Sequence, residues 1–539
     1  MSKLPTFIAK PARFFYGAGK KVVSLGKSKS PAKPAQATRA GAGQAITPAM
    51  EKNLKISGKV DLLKDMVLDG DYHSVASIRN NLQSATGPAD NAQLAQFMAV
   101  IAQAELAQAH HDEVMSIGRE MIDKFNNPVG YYYRAQSLFV RGEYEPAMLE
   151  LQNLLRVRPR HADGVYLLCE ICEQLDNYEL AWQSLETLAL TSKRNKTWHV
   201  MANFVQQSSD VFRLLKNWRK WKEDKVGPAF HQDVSEFIAL GALRAGNYEM
   251  ARTIWRETIF SASKKKGGFT SLKARQPSYS SKRAEAALSD LNAMFNDANI
   301  EMFLVSGTLL GCVREGRLLG HDKDIDIGIW STVSESKVLE LATTTGKFFV
   351  LKSRSPEILR LKHVNGIAID VFYHFKKRSD YWHGGVKMVW HNSPFKLVKR
   401  EFLEEEYLIP EDYDLYLTEN YGDWKTPMIK FDSAFDTPNG EVLSEEEMAI
   451  HSFKGLLASA IDDNWERVIF YLNKLREFGE NDFAEAFELQ CVKSEAAKEA
   501  FANLQNEDED NGENDESDDD DDNDNDNDVL ATPSAEVKN

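Results

Sequence analysis

Long apolar runs are missing from this 539-residue chain: none approaches the roughly 18 to 20 residues needed to cross a bilayer, so a soluble protein is expected. Cysteine is scarce at four residues and no secretory apolar segment opens the chain, which excludes a disulfide-stapled secreted fold and points to a reducing compartment. Cys169-Glu170-Ile171-Cys172 has redox or zinc spacing, but no second cysteine pair or neighbouring histidine pair completes a site. Its flanks are helical and apolar, so the two read as small core residues. Acids are absent from the first 50 residues, which hold nine Lys or Arg between Lys3 and Arg39 among Ala, Ser, Pro and Gly, the composition of a solvated arm. The opposite end inverts this: Glu507 to Asp528 carry 15 acidic side chains. Without that tract the formal net charge of -16 almost vanishes, which removes any electrostatic case for general nucleic-acid binding. A cytoplasmic location is expected, with membrane contact at most peripheral, at the inner face, through the aromatic and cationic segment Phe7 to Tyr16.

From about Lys55 to Phe260 the sequence repeats itself. Arg141 to Ala147 (R-G-E-Y-E-P-A) aligns with Leu175 to Ala181 (L-D-N-Y-E-L-A) at a spacing of 34 residues, and the stretch ending at Ala251 (R-A-G-N-Y-E-M-A) lies 70 beyond Ala181. Leu68 to Tyr72 (L-D-G-D-Y) fits the same series. A period near 34, with a Gly/Asn-Tyr turn and a small Ala one turn later, predicts an all-α solenoid of five or six tetratricopeptide-like helix hairpins. Such arrays bury their apolar faces only against neighbouring hairpins and usually offer a concave surface, so a protein partner is expected there.

A polar Gly/Ser/Lys stretch ends the array. Beyond it, Ala284, Ala287, Leu288, Leu291, Met294, Phe295 and Ala298 mark one buried helical stripe. Strands are predicted at Met302 to Val305, Asp324 to Trp330, Phe348 to Leu351, Ile358 to Leu361 and Ile367 to Phe372, with helices at Thr308 to Arg314 and Ser334 to Ala342. This is an α+β pattern with a small mixed sheet. Ser444-Glu445-Glu446-Glu447 is a capping box, and Asp462 to Val468 (D-D-N-W-E-R-V) echoes the repeat turn, predicting one more hairpin folded against the catalytic region. Six regions result: a basic disordered arm over 1–52, tetratricopeptide-like repeats over 53–262, a linker over 263–282, a catalytic domain over 283–440, a helical segment over 441–503 and an acidic disordered tail over 504–539.

The chemistry concentrates between Val305 and Trp330. Asp324 and Asp326 sit two apart in a strand, so both carboxylates leave one face with Cα atoms roughly 6 to 7 Å apart. Paired hard oxygen ligands suit Mg²⁺ or Mn²⁺, ions that bridge nucleotide phosphates. Asp370 is a third acid in an otherwise apolar strand, costly to bury unless paired or metal-bound. The Gly307-Thr308 turn opens a helix whose amides can cradle phosphate. A strand, a Gly-Thr turn opening a helix, and an Asp-x-Asp strand together make a nucleotidyltransferase arrangement.

Four motifs, S-G-T-L-L-G-C-V-R-E-G, H-D-K-D-I-D-I-G, G-I-A-I-D-V-F and E-N-Y-G-D-W-K-T-P, resemble the LicD/fukutin family over roughly Asp290 to Asn439. The resemblance implies a nucleotidyltransferase-fold domain that moves phosphocholine or a phospho-alditol from a CDP-alcohol donor to a glycan acceptor. It implies metal binding by Asp324, Asp326 and Asp370, with Asp370 or Asp322 as proton acceptor, and phosphate contacts by Gly307, Thr308 and Arg314. His321 reads equally as a phosphate or acceptor contact and as an ordinary loop histidine. Tyr421 and Trp424 are candidates for shaping the substrate pocket, although aromatics around a Gly turn as often pack. Lys323 departs from the family pattern, which has an acid there. Two alternatives remain: a nucleotidyltransferase releasing pyrophosphate, and a tetratricopeptide scaffold whose transferase domain is inactive.

Overall fold

The computed structural model describes residues 56–72, 74–75, 91–224, 231–264, 269, 280–320, 322, 324–428 and 431–491. The basic arm, the acidic tail, most of the linker, His321 and Lys323 lie outside these. All described residues belong to one compact unit, Leu54–Asn539.

The first half is helical: Ile56–Asp69 (α1), Asn91–Ala107 (α2), His111–Asp123 (α3), Val129–Val140 (α4), Tyr144–Val157 (α5), Ala162–Gln174 (α6), Tyr178–Ala189 (α7), Asn195–Asn203 (α8), Ser208–Asp224 (α9), His231–Arg244 (α10) and Tyr248–Ser263 (α11). Among the described residues no helix is long and apolar enough to cross a membrane. The repeat written in the sequence has a backbone cause. Gly70, Ala109, Gly142, Asp176 and Gly246 all take positive φ, between 50° and 78°, a left-handed step that ends one helix and reverses the chain. Two residues after each comes Tyr72, His111, Tyr144, Tyr178 or Tyr248, and five after each a buried Val75, Val114, Ala147, Ala181 or Ala251. The small buried side chain lets the paired helices approach closely. Cys169 and Cys172 are free thiols within this helical core, as their flanks predict.

The second half is built on a sheet. After Ser281–Asp297 (α12) come Met302–Leu304 (β1), Ser306–Leu310 (α13) with a π-turn over Gly311–Glu315, Asp324–Trp330 (β2), Glu335–Thr345 (α14), Phe348–Leu351 (β3), Ile358–His363 (β4), Ala368–Lys376 (β5), Tyr381–Gly384 (β6), Met388–Asn392 (β7), Leu397–Phe402 (β8), Glu405–Pro410 (β9), Tyr413–Tyr421 (α15) and Gly440–Val442 (β10). The sheet runs β10-β7-β6-β5-β2-β1-β9-β8, with β4 on β5 and β3 on β4. Its ten strands among the described residues exceed the small sheet expected, because β6 to β9 hold polar and aromatic residues whose alternation is weak in sequence. β2 and β5 pair in parallel, while β1 and β4 flank them antiparallel. Ile325, Ile327 and Ile329 point into the core beneath, beside Ile369 and Val371.

The hairpin turns of the helical array walk along one edge of this sheet domain. Ser280 Oγ donates to Asp69 O, His111 Nε2 lies 2.8 Å from Gly346 O, and Thr343 packs on Gly142. Gln174 Nε2 donates to Val350 O at 3.2 Å and Lys352 Nζ to the Tyr178 hydroxyl at 2.6 Å, while the Phe139 and Phe349 rings sit 5.6 Å apart. The edge strand β3 is thereby covered.

Helices then resume with Glu445–Ile461 (α16), Trp465–Glu477 (α17) and Asn481–Cys491 (α18). Asp463, at φ 56°, followed by Trp465 and the buried Val468, repeats the turn formula of the first half. This hairpin meets the sheet domain, as Met448 packs on Met388, but its larger apolar face joins α10 and α11 through Trp255, Ile259, Phe453, Leu456 and Leu472. The sheet domain is therefore inserted into the helical stack between α11 and α16. Of the capping box, Ser444 Oγ accepts the Glu447 amide hydrogen, whereas the buried Glu447 carboxylate pairs with Arg354 instead of turning back to the cap.

The junction is tied by charge. Tyr471 Oη donates to Asp432 at 2.6 Å, His451 Nε2 lies 2.9 Å from both Asp432 oxygens, and Arg467 donates to both oxygens of Asp436 at 3.0 and 3.1 Å. Burial alone would raise the Asp432 pKa, but His451, the Tyr471 hydroxyl and the Ala434 amide outweigh it and hold the carboxyl well below the usual carboxylate range. A depressed carboxylate stabilises the fold fully above its unfolded pKa of about 3.9 and progressively less as pH falls through its folded value. Stability measured by urea unfolding is expected to decline below about pH 4, and Asp432→Asn is expected to flatten that decline while lowering stability at pH 7 by about 1 to 3 kcal/mol.

Candidate active site

The Asp face of β2 opens at one end and closes at the other. Gly328 has no side chain to spare: a Cβ there would collide with the Phe303 ring, and Phe303, Trp330, His374 and Phe395 pack over this stretch with ring centroids 4.9 to 6.4 Å apart. The face is open only where β2 and β5 begin. There the parallel register sets Asp326 directly beside Asp370, and Asp324 follows from the two-residue pleat. One carboxylate oxygen from each of Asp324, Asp326 and Asp370 lies within 4.8 Å of the other two.

The turn after β1 braces this cluster. Ser306 takes φ 46°, a left-handed conformation unusual for a residue with a side chain, and so turns the chain sharply into α13. The Gly307 amide then donates to Asp326 Oδ2 at 3.4 Å. Thr308 is buried, and its Oγ1 accepts the Asp326 backbone N–H at 2.9 Å, so its hydroxyl positions the aspartate. A Cβ on Gly307 would overlap the Asp322 carboxylate, so the glycine is what lets Asp322 lie over the turn, outside the triad but beside it.

Arg314 and the Y-G-D-W segment meet each other. Arg314 Nη1 donates to Trp424 O at 3.2 Å and Nη2 to Glu315 Oε1 at 3.2 Å, clamping the π-turn to the chain after α15. The Trp424 ring is buried in the sheet-domain core. The Tyr421 and Phe431 rings lie tilted with centroids 4.9 Å apart, and burial together with the charges of Asp326 and Asp322 raises the Tyr421 phenol pKa strongly. Arg360 carries no motif and escaped the sequence reading. It stands opposite Asp370 in the β4–β5 register, with Nε 3.6 Å from Asp370 Oδ1. Only the pairing of strands separated by a turn reveals it.

Like charges dominate the electrostatics of the cluster. Burial first, then Asp324, Asp322 and Asp370, push the Asp326 carboxyl well above its ordinary pKa, and the Gly307 amide offsets this only partly. Asp370 is raised by burial, lowered by Arg360 and raised again by Asp324. Converging hard oxygen donors with one cation at their margin fit a divalent ion of the Mg²⁺ or Mn²⁺ type.

The family model described as "LicD/FKTN/FKRP, nucleotidyltransferase domain" matches residues 299–412, the segment that holds all three carboxylates. This chain carries a LicD/fukutin-family domain. Similar proteins are the ribitol-5-phosphate transferase FKTN of Mus musculus, 25% identical over 170 residues covering 29% of this chain and 36% of the relative, and that of Homo sapiens, 26% identical over 156 residues covering 27% and 33%. The chain thus spans about a third of the length of these curated relatives. The LicD/fukutin-family match begins after α12 and ends before α15, so the helical hairpins and the Y-G-D-W segment lie outside it.

Because like charges crowd the triad, Asp326→Asn is expected to stabilise the metal-free chain by roughly 1 to 2 kcal/mol. Mg²⁺ is expected to raise the Tm of the unaltered chain and to leave that of the variant unchanged, as read by differential scanning calorimetry with and without chelator. A destabilised Asp326→Asn that keeps the Mg²⁺ response would refute the charge-crowding account.

Proposed function

We propose that this protein transfers a phospho-alcohol, of the phosphocholine or phospho-alditol type, from a CDP-activated donor to a glycan hydroxyl. The convergence of Asp324, Asp326 and Asp370 at the open end of the β2–β5 pair, inside a LicD/fukutin-family domain, is the observation that carries this reading. The names of the related ribitol-5-phosphate transferases support a phospho-alditol donor.

In this reading the three carboxylates hold Mg²⁺ or Mn²⁺, which when bound neutralises the donor diphosphate and the departing CMP. Thr308 and the Gly307 amide fix Asp326 so that it needs no reorganisation when substrate arrives. The Arg314 clamp holds the Tyr421 and Trp424 segment as the wall of the nucleotide pocket. Asp322, set outside the triad over Gly307, receives the proton of the acceptor hydroxyl as its oxygen bonds to the distal phosphorus and the bond to the CMP oxygen breaks. The helical hairpins are read as tetratricopeptide-like repeats on their 34-residue spacing and shared turn, and the sheet domain as a nucleotidyltransferase fold on its β1-turn-α13-β2 order.

Incubation of the full chain with CDP-ribitol, CDP-glycerol or CDP-choline, a glycan panel and Mg²⁺ is expected to release CMP, and chelation to stop it. Asp324→Asn should reduce turnover at least about 10³-fold with the fold intact by circular dichroism. Release of pyrophosphate from a nucleoside triphosphate instead would establish the nucleotidyltransferase alternative, and failure to bind CDP with Mg²⁺ would leave a scaffold role.

A further inference from the structure

The strand register carries the triad's face of the sheet beyond the carboxylates. Pairing sets Asp324 beside Ala368 on β5, Ala368 beside Lys362 on β4, and Lys362 beside Phe349 on β3, so these side chains stand in one line on one face. Ala368 and Lys362 are exposed, and the short alanine leaves the floor between Asp324 and Lys362 uncovered. Neighbouring strands lie about 4.8 Å apart, which puts Lys362 about 10 Å and Phe349 about 14 Å along this floor from Asp324. The line ends under the helical array: the Phe349 ring packs 5.6 Å from that of Phe139 and joins the apolar core of the hairpins.

Where array and sheet meet, a cavity of about 70 Å³ opens. Phe349 and Lys362 form its sheet side, while Tyr132 and Gln136 of α4, Tyr166 and Glu170 of α6 and Lys196 of α8 form its array side. At roughly 10 to 15 Å³ for each water-sized group it has room for about five to seven of them, the bulk of one sugar ring. Its polar groups are uncommitted. Among the described residues the side chains of Gln136, Glu170, Lys196 and Lys362 make no hydrogen bond and no ion pair, and the two ammonium groups only lie over rings, Lys196 Nζ 4.8 Å from the Tyr166 centroid and Lys362 Nζ 5.9 Å from that of Phe349. Charges around the cavity cancel, Lys196 and Lys362 against Glu170 and Asp163, so neither an anion nor a cation is favoured. A neutral polyol suits such a lining: amide, carboxylate and ammonium groups exchange hydrogen bonds with hydroxyls, and aromatic rings take the C–H faces. We infer that this cavity is a subsite for one sugar of the acceptor glycan, and that the units between it and the reacting hydroxyl lie over Ala368 and Lys362. The helical array is then part of the binding site for substrate. The transferase reading is needed only to make that glycan the acceptor; the sugar site stands on the cavity itself.

Calorimetric titration of the full chain with chitotriose, maltotriose and mannotriose, in chelator and without donor, tests the subsite apart from metal and turnover. Saturable binding of at least one of these neutral trisaccharides is expected, weakened about fivefold or more in Lys362→Ala and in Glu170→Gln. Lys362 is exposed and its side chain makes no hydrogen bond among the described residues, so Lys362→Ala should fold normally. If circular dichroism shows Glu170→Gln to be misfolded, Gln136→Ala is expected to show the weaker binding instead. CDP affinity in Mg²⁺ is expected to stay unchanged in Lys362→Ala, and a parallel loss there would overturn the placement on the acceptor side. Absence of saturable trisaccharide binding by the unaltered chain, or unchanged affinity in both the Lys362 variant and the array variant, overturns the inference. Failure of the transferase reading would appear as no CMP release from the CDP-alcohols, a result independent of trisaccharide binding.

Discussion

Everything at the open end of the sheet follows from forcing three carboxylates together. Parallel pairing of β2 with β5 sets Asp326 against Asp370, and the strand pleat adds Asp324. Water would keep such groups apart, so the surroundings must hold them. The Gly307 amide, the Thr308 hydroxyl and Arg360 each give part of that restraint. The remainder of the energy comes from the isoleucines on the far side of the same strands, whose burial at about 1.5 to 3 kcal/mol each makes any register slip far costlier than the repulsion it would relieve.

The sequence displayed this cluster because the pattern is short-range. Asp324 and Asp326 share a strand, Asp370 interrupts an apolar run, and the strands and helices predicted from Met302 to Phe372 match β1 to β5 to within a few residues. The five strands and one helix from β6 to β10 were harder. β8 and β9 join through Leu403 and Glu404, both at positive φ, a turn that glycine and asparagine normally announce and that here carries no such signal. The second hairpin hid for a similar reason: its left-handed residue is Ala109 and its aromatic position is His111, so nothing marks it as kin to Gly142 and Tyr144.

Contacts between distant segments were illegible for a different reason. Arg360 becomes notable only when β4 lies against β5. Thr308 was legible as a motif residue, but its bond to the Asp326 amide depends on the turn geometry that Ser306 sets. Motif spacing names residue types; pairing decides what each of them does.

The insertion of the sheet domain between α11 and α16 has a mechanical consequence. Both of its ends are anchored in one continuous apolar stack, through Trp255 and Ile259 on one side and Phe453 and Leu456 on the other. A domain on a single tether swings freely, whereas one on two fixed tethers moves only as its frame bends. Any shift of the triad relative to the helical hairpins must therefore be accompanied by a change in the curvature of the helical stack, so that whatever stiffens the stack also restrains the triad.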